Sequence, residues 1–395
     1  MRIESIQNEN QSQKIVSGSN CLCYLAEEIN KSYPLFQTNI LIITSKSQQP
    51  IVDNLIKHQF EIYQCGLQIL VSEGEPSCVE LDRFRDSILK IPKLVIGIGG
   101  GSVIDYAKAI AGLVLHKEPS NQFLEGVGTI KYRGPSLPVV AIPTTAGTGS
   151  ECTINTVLTF TDSKNITWKK SIRHLSLLPK IVFLDPNLTI ELPINKTLYS
   201  ALDAFSQSME AYLSKESNPI TDNLALESLK QILIHLPIVI KNPYDINSRL
   251  NLLSASSKSG IALTSAGLGV VHGLAGVLGA VTSLPHGHIC AALLYPTFEL
   301  YGEECNAEEI SILNKKLKVL LPENTNEDQN TAYKSFHKYL GDWLKSLIPI
   351  PPLSHPNSEF IILKVLDQFS IRNHPTPFSK HLAKISLMKA FGYKF

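Results

Sequence analysis

Asp203, Gln207, His272 and His286 are polar side chains in largely apolar surroundings, and their types fit the binding of a divalent cation. Asp203 sits among Tyr199, Ala201, Leu202, Ala204 and Phe205. A carboxylate buried there needs a partner or a cation to offset its lost hydration. Gln207 follows four residues later, so the two side chains share one face of a helix. His272 and His286 lie in glycine-rich sequence, where helices can approach closely around a small site. Carboxylate, amide and imidazole donors suit Fe²⁺ or Zn²⁺. The spacing alone fits equally well a hydrogen-bonded buried acid and two satisfied core histidines. His288, two residues past His286, is expected in the surroundings of such a centre rather than on the ion.

A second chemistry is legible earlier. The run KLVIGI leads into Gly99-Gly100-Gly101-Ser102, and Ser102 and Asp105 have the spacing of a capping box at a helix start. Missing side chains let a pyrophosphate approach the backbone, and the helix N-terminus meets its charge. One or two glycines would suffice for a bare turn, so three in a row favour a phosphate site. The usual G-x-G-x-x-G spacing is absent because position 102 is serine. A second loop, PTTAGTGSE over 143–151, is crowded with hydroxyls and glycines. Two such loops after two strands of one parallel sheet suggest an extended ligand across the strand ends.

The elements that must carry these loops are short apolar runs at 39–44, 69–72, 93–98, 138–142 and 180–184. Such runs suit strands buried on both faces of a parallel sheet. Helical patterns at 79–89 and 103–115 lie between them, which implies right-handed βαβ units in a doubly wound sheet. Beyond Asp185-Pro186-Asn187-Leu188 strand-like runs nearly vanish. Apolar residues at 198–213, 223–236, 248–263 and 333–348 take helical spacing, and 349–356 is a proline-rich loop. The expectation is an α/β nucleotide-binding domain over 1–185 and an all-α domain over 186–395. A cleft between them would be the default place for a ligand.

Composition narrows the function classes. The chain is 44% hydrophobic and 18% charged with a net charge of +1, which fits a globular protein and gives no electrostatic footprint for nucleic acid or an anionic membrane. The polar start lacks the apolar core of a signal peptide. Seven scattered cysteines without C-x-x-C suit a reducing compartment, and a cytoplasmic location is expected. The stretch 260–284 is long and uncharged enough to span a bilayer. Its glycines, His272 and the following Pro285-His286-Gly287-His288 favour a buried helix pair beside a polar site.

Taken together, GGGSVIDYAKAIAG, PTTAGTGSE, LPKIVFLDPNLT, DAFSQSMEAYLS and VHGLAGVLGAVTSLPHGH resemble, in order and spacing, the iron-containing (group III) alcohol dehydrogenase family over roughly residues 10–390. The resemblance implies a Rossmann-like N-terminal domain and an all-α C-terminal domain, the dehydroquinate synthase-like architecture, with metal and nicotinamide meeting in the cleft. It implies an NAD(P)-linked alcohol dehydrogenase or aldehyde reductase acting on a small alcohol or aldehyde, commonly a homodimer or larger. Gly100, Gly101, Ser102 and Asp105 would hold the pyrophosphate side of NAD or NADP. Thr144, Thr145 and Thr148 would line the cofactor further along, with Lys170 as a cofactor-contacting lysine. Asp203, His272 and His286 match three of four metal ligands, for Fe²⁺ or another divalent ion such as Zn²⁺. The metal would polarise the substrate oxygen while hydride passes to or from nicotinamide C4, with His272 and His286 at the reacting centre.

Two positions depart from the family pattern. Gln207 stands where the second ligand is usually histidine, and Gly276 where a further histidine is common. With Gln207 as fourth ligand the expectation is a weaker metal site. After the NILIIT strand, Ser45-Lys46 replaces the aspartate that many NAD-using relatives place beside the ribose. Three other readings stay open: a metal-independent reductase resembling maleylacetate reductase, a sugar-phosphate cyclase like dehydroquinate synthase, and a non-catalytic NAD(P)-binding homologue. The PTTAGTGSE loop speaks against the cyclase.

Overall fold

The apolar runs of the first half become the interior strands of one sheet. The computed structural model describes residues 1–8, 11–163, 167–282, 284–322, 331–368 and 378–393. The strands are β1 (Arg2–Asn8), β2 (Gln11–Ser17), β3 (Asn39–Ser45), β4 (Gly66–Ser72), β5 (Leu94–Gly99), β6 (Val139–Pro143), β7 (Asn155–Thr161), β8 (Thr167–Arg173) and β9 (Ile181–Leu184). Seven of them pair in the order β1-β2-β9-β6-β5-β3-β4, and β7 and β8 form a separate antiparallel pair. Among the described residues, only the β1–β2 pairing of the large sheet is antiparallel.

The two-residue period of a strand explains why these runs are apolar throughout. Leu41, Ile43 and Val95 point to one face, against the Cys78–Asp86 and Gly101–Leu113 helices. Ile40, Ile42, Ile96 and Ile98 point to the other, with Leu25, Ile29, Val52, Ile56 and Phe60. Both faces are covered, so neither set is polar. The chain steps outward from β3 to β4 and then returns past β3 to β5. The strand order therefore reverses between β3 and β5, where open α/β sheets bind ligands at the strands' carboxyl ends.

Strands β1, β2, β7 and β8 are not legible from residue pattern, because none is an unbroken apolar run. NTVLTFT and TWKKSIR pair with each other and bury mainly Thr156, Leu158 and Ile172. In β2, Gln13 is fully buried, and its Nε2 donates to the carbonyls of Glu151 and Pro179 at 2.8 Å each.

The chain divides into two compact units, Met1–Glu191 and Leu192–Phe395. The segment around 185, where composition changes, is tied into the first unit. The Asp185 carboxylate accepts from the backbone amides of Asn20, Leu22 and Asn187. Within the described residues the second unit is helical: Ile194–Leu213, Pro219–Lys241, Ile246–Ala266, Val270–Val281, His286–Glu299, Ala307–Lys318, Ala332–Ser346, Ser358–Gln368 and Lys380–Ala390. The long apolar stretch breaks at Gly267, whose φ of 76° ends the Ile246–Ala266 helix. That helix and Val270–Val281 meet at 99°. Pro219–Lys241 is apolar and long enough to cross a membrane by length and composition. It is amphipathic, burying Ala225, Leu229, Ile232, Leu236 and Val239 at helical spacing while packing on Ile194–Leu213 and Ile246–Ala266.

Candidate metal centre and phosphate loops

The Ile194–Leu213 helix presents Asp203, Gln207 and Glu210 along one face, at spacings of four and three. All three are buried. His272 is the third residue of Val270–Val281, and His286 opens His286–Glu299 behind its N-cap, Pro285. Because the helix begins at His286, Cys290 falls one turn on and shares its face. Single donor atoms of Asp203, His272, His286 and Cys290 all lie within 4.8 Å of one another.

His272 organises the cluster. Its Nδ1 lies 2.7 Å from Glu210 Oε2, and Glu210 Oε1 accepts from the amide of Val271 at 2.6 Å. The helix start closes tightly on this carboxylate, since a Cβ at Gly269 would stand 3.0 Å from Glu210 Oε1. With the Nδ1 proton committed to Glu210, Nε2 faces Asp203 Oδ1 at 3.1 Å and Cys290 Sγ at 3.8 Å. His286 Nε2 is 3.8 Å from Asp203 Oδ1 and 3.6 Å from Cys290 Sγ. Burial alone would lower both histidines, but Cys290 and the carboxylates outweigh it and both are raised. Burial would likewise raise Asp203, yet the hydrogen bond from His272 and the charges of His286 and His272 hold it below the ordinary carboxylate range. An imidazole nitrogen facing a carboxylate and a sulfur needs a proton or a cation between them. The donor chemistry therefore fits a divalent ion, with Glu210 fixing the tautomer.

Gln207 and His288, also expected at or around the centre, make contacts of their own. Gln207 has one end of its amide tied to Ser259 Oγ at 3.0 Å. His288 turns to the Pro351 carbonyl, with Nε2 2.9 Å away, and stacks on Tyr199. A Cβ at Gly276 would meet nothing within 4 Å, so a larger side chain would find open space there. Cys290 and Glu210 were missed in the sequence. The signal for Cys290 was its spacing of four from His286, and for Glu210 its spacing of seven from Asp203.

In the first unit the structure brings the two glycine-bearing loops together. The amide of Thr144 donates to the Gly99 carbonyl at 3.0 Å, directly joining the ends of β5 and β6. The helix after β5 begins at Gly101 with Gly100 as N-cap and no side-chain cap, so the capping box expected from Ser102 and Asp105 does not form. The helix starts two residues earlier than that pattern needs. The amides of Gly101 and Ser102 have no acceptor among the described residues, and Gly100 and Gly101 add no side chain over them. A Cβ at Gly101 would stand 2.4 Å from Thr148 Oγ1, and one at Gly100 would stand 3.4 Å from the Thr145 side chain. That cradle fits an anion.

Asp105 is turned to the protein itself. It accepts from Ser150 Oγ and from the Val157 amide at 3.2 Å, and it pairs with Lys108 at 3.2 Å. Lys108 is fully buried, and burial lowers its pKa although Asp105 opposes this. Its ammonium donates to the Ser150 carbonyl at 2.8 Å, to Thr153 Oγ1 at 2.9 Å and to the Asn155 carbonyl. Asp105 and Lys108 thus pin the segment that follows the threonine loop. Replacing Lys108 with methionine should destabilise the chain by about 3 kcal/mol, because it strands these acceptors and breaks a buried pair. Urea unfolding of the variant beside the parent measures this; an unchanged midpoint would remove the anchor role.

Ser45 ends β3 at the strand-order reversal and shares a hydrogen bond with Ser47 Oγ at 3.0 Å, beside exposed Lys46. Lys170 lies on β8 with its ammonium 5.5 Å from the Trp168 ring centroid. Among the described contacts it does not meet the glycine loop.

Comparison with known proteins accords with this arrangement. Residues 12–186 match the iron-containing alcohol dehydrogenase family and 197–345 its C-terminal domain. A 1,3-propanediol dehydrogenase of Klebsiella pneumoniae is 30% identical over 280 residues, covering 69% of this chain and 70% of that protein. A probable alcohol dehydrogenase, EutG, of Salmonella typhimurium is 37% identical over 223 residues, covering 56% of this chain and only 55% of that relative's length. The match to EutG therefore spans about half of that protein. The structure of an iron-containing alcohol dehydrogenase from Thermotoga maritima superposes with a TM-score of 0.76 at 25% identity, covering 96% of this chain and 98% of that one. The chain belongs to the iron-containing alcohol dehydrogenase family.

Proposed function

We propose that the chain is a metal-dependent, NAD(P)-linked alcohol dehydrogenase or aldehyde reductase that moves hydride between the nicotinamide and a small alcohol or aldehyde. The observation that carries this reading is His272, held by Glu210 at Nδ1 and turned by Nε2 toward Asp203 with His286 alongside. Asp203, His272 and His286 would hold the cation, which supplies Lewis-acid polarisation of the substrate oxygen when bound. Glu210 keeps the His272 proton on Nδ1. Asp203 and His272 exclude water by their burial, while the His286 side chain is 29% exposed and marks the open side of the cluster. The backbone amides of Gly101 and Ser102 would bind the cofactor's pyrophosphate, with Gly100 leaving room for it. Thr144, Thr145 and Thr148 would extend that surface. Hydride transfer itself belongs to the nicotinamide.

Relatives named as 1,3-propanediol and methanol dehydrogenases support small primary alcohols or their aldehydes as the substrate class. All seven cysteines are free thiols, which suits a cytoplasmic enzyme, and a homodimer or larger assembly is the expectation the family sets. NAD(P)H oxidation across a panel of short aldehydes tests the reading. Saturable turnover is expected, and cofactor binding without turnover of any aldehyde or alcohol would favour a non-catalytic homologue.

Cofactor choice follows from the end of β3. Ser45 offers a hydroxyl where a carboxylate would repel a 2′-phosphate, and exposed Lys46 can pair with one. NADP(H) is expected to be used at least as well as NAD(H). Steady-state kinetics with both cofactors decides this, and a strong NAD(H) preference would contradict it.

A further inference from the structure

The cluster holds a fourth donor that is not the amide one turn from Asp203. We infer that Cys290 binds the cation as a thiolate in place of Gln207, giving a one-sulfur centre of Asp203, His272, His286 and Cys290 that takes Zn²⁺ or Co²⁺ in preference to Fe²⁺. This rests on the proposal that the second unit holds a metal. Cys290 is fully buried, and its Sγ lies 3.6 Å from His286 Nε2 and 3.8 Å from His272 Nε2. A thiol carries one proton and cannot donate to both nitrogens, whereas one ion can bind all three atoms. With metal–nitrogen bonds of roughly 2.0–2.1 Å and a metal–sulfur bond of roughly 2.3 Å, a tetrahedral ion sets nitrogen–sulfur edges of roughly 3.5–3.6 Å and nitrogen–oxygen edges of roughly 3.3 Å. The observed nitrogen–oxygen separations are 3.1 and 3.8 Å, so four of the six edges are within about half an ångström of a tetrahedron's, and all six lie within 4.8 Å.

Gln207 Oε1 already accepts from Ser259 Oγ at 3.0 Å, whereas the Cys290 sulfur has both imidazole nitrogens within 3.8 Å. Cys290 takes its approach from the helix that starts at His286, where residues four apart share a face. A thiolate is a softer and more strongly binding donor than an amide oxygen, which shifts selection toward Zn²⁺ and away from Fe²⁺. The thiol proton is released to solvent as the ion binds.

The test is cobalt substitution of the full-length protein, read by absorption. The parent should show visible ligand-field bands together with a near-ultraviolet sulfur-to-cobalt charge-transfer band. Cys290→Ala should lose that band and weaken Zn²⁺ by about tenfold or more, while Gln207→Ala keeps the band. In competition dialysis the parent should retain zinc over iron by about tenfold or more. Ligand-field bands without the charge-transfer band in the parent would overturn the thiolate assignment and leave the metal reading standing. No cobalt binding by the folded parent would overturn both. Because the parent alone gives the deciding spectrum, the result does not depend on the variants folding.

Discussion

His272→Ala should leave the purified protein without retained metal and lower kcat/KM for aldehyde reduction by about 10³-fold or more. His272 is the residue that joins the buried carboxylates, with Glu210 on Nδ1 and Asp203 on Nε2. Removing its ring deletes one donor and also leaves Glu210 and Asp203 facing an empty space. Loss of a preorganised electrostatic contact to a reacting oxygen costs on the order of 10²–10³ in rate, and losing the ion that provides the contact should cost at least that. Glu210→Gln offers a graded control. Its amide can still bond the neighbouring groups without the charge that strengthens His272 as a donor, so metal affinity should fall by about tenfold. Elemental analysis with steady-state rates measures both variants. Normal metal content in folded His272→Ala would move the centre elsewhere.

Gly101→Val should weaken dinucleotide binding by about 10–100-fold. The first atom added at residue 101 would already stand 2.4 Å from Thr148 Oγ1 and 2.8 Å from its Cγ2. The threonine loop must therefore give way, and overpacking of this kind costs about 1–3 kcal/mol, or roughly 5- to 150-fold if carried into a binding constant. A branched side chain at this turn would also crowd a pyrophosphate approaching the backbone. The structure adds a collision inside the protein, so a shift in thermal stability should accompany the lost affinity. Cofactor titration by fluorescence, with a melting curve on the same sample, reads both. Parent-like affinity would place the pyrophosphate away from this turn.

What the sequence disclosed follows from burial. Strands β3, β5, β6 and β9 are covered on both faces and read as apolar runs. The β7–β8 pair and the β1–β2 hairpin are mixed in polarity and gave no such signal. The glycine turn was legible because close packing on Thr148 forbids side chains there. Asp105 was not legible as an anchor, because its partners Ser150 and Val157 lie far along the chain. At the metal cluster, Asp203, His272 and His286 stood out as polar residues in apolar sequence. Cys290 did not, since a cysteine among apolar residues reads as ordinary core until the helix start at His286 is known. Glu210 was hidden for a related reason. Its partner His272 lies on a different helix, and only the fold joins them.

Catalysis is expected to depend on a cation held by Asp203, His272 and His286. The most direct measurement is the NAD(P)H-dependent aldehyde-reductase rate of full-length protein stripped of metal to a verified zero by elemental analysis, then titrated with divalent ions. Loss of turnover with cofactor binding retained is expected, followed by recovery at about one equivalent of added ion per chain. Full activity in the verified metal-free protein would contradict it and make this chain a metal-independent reductase.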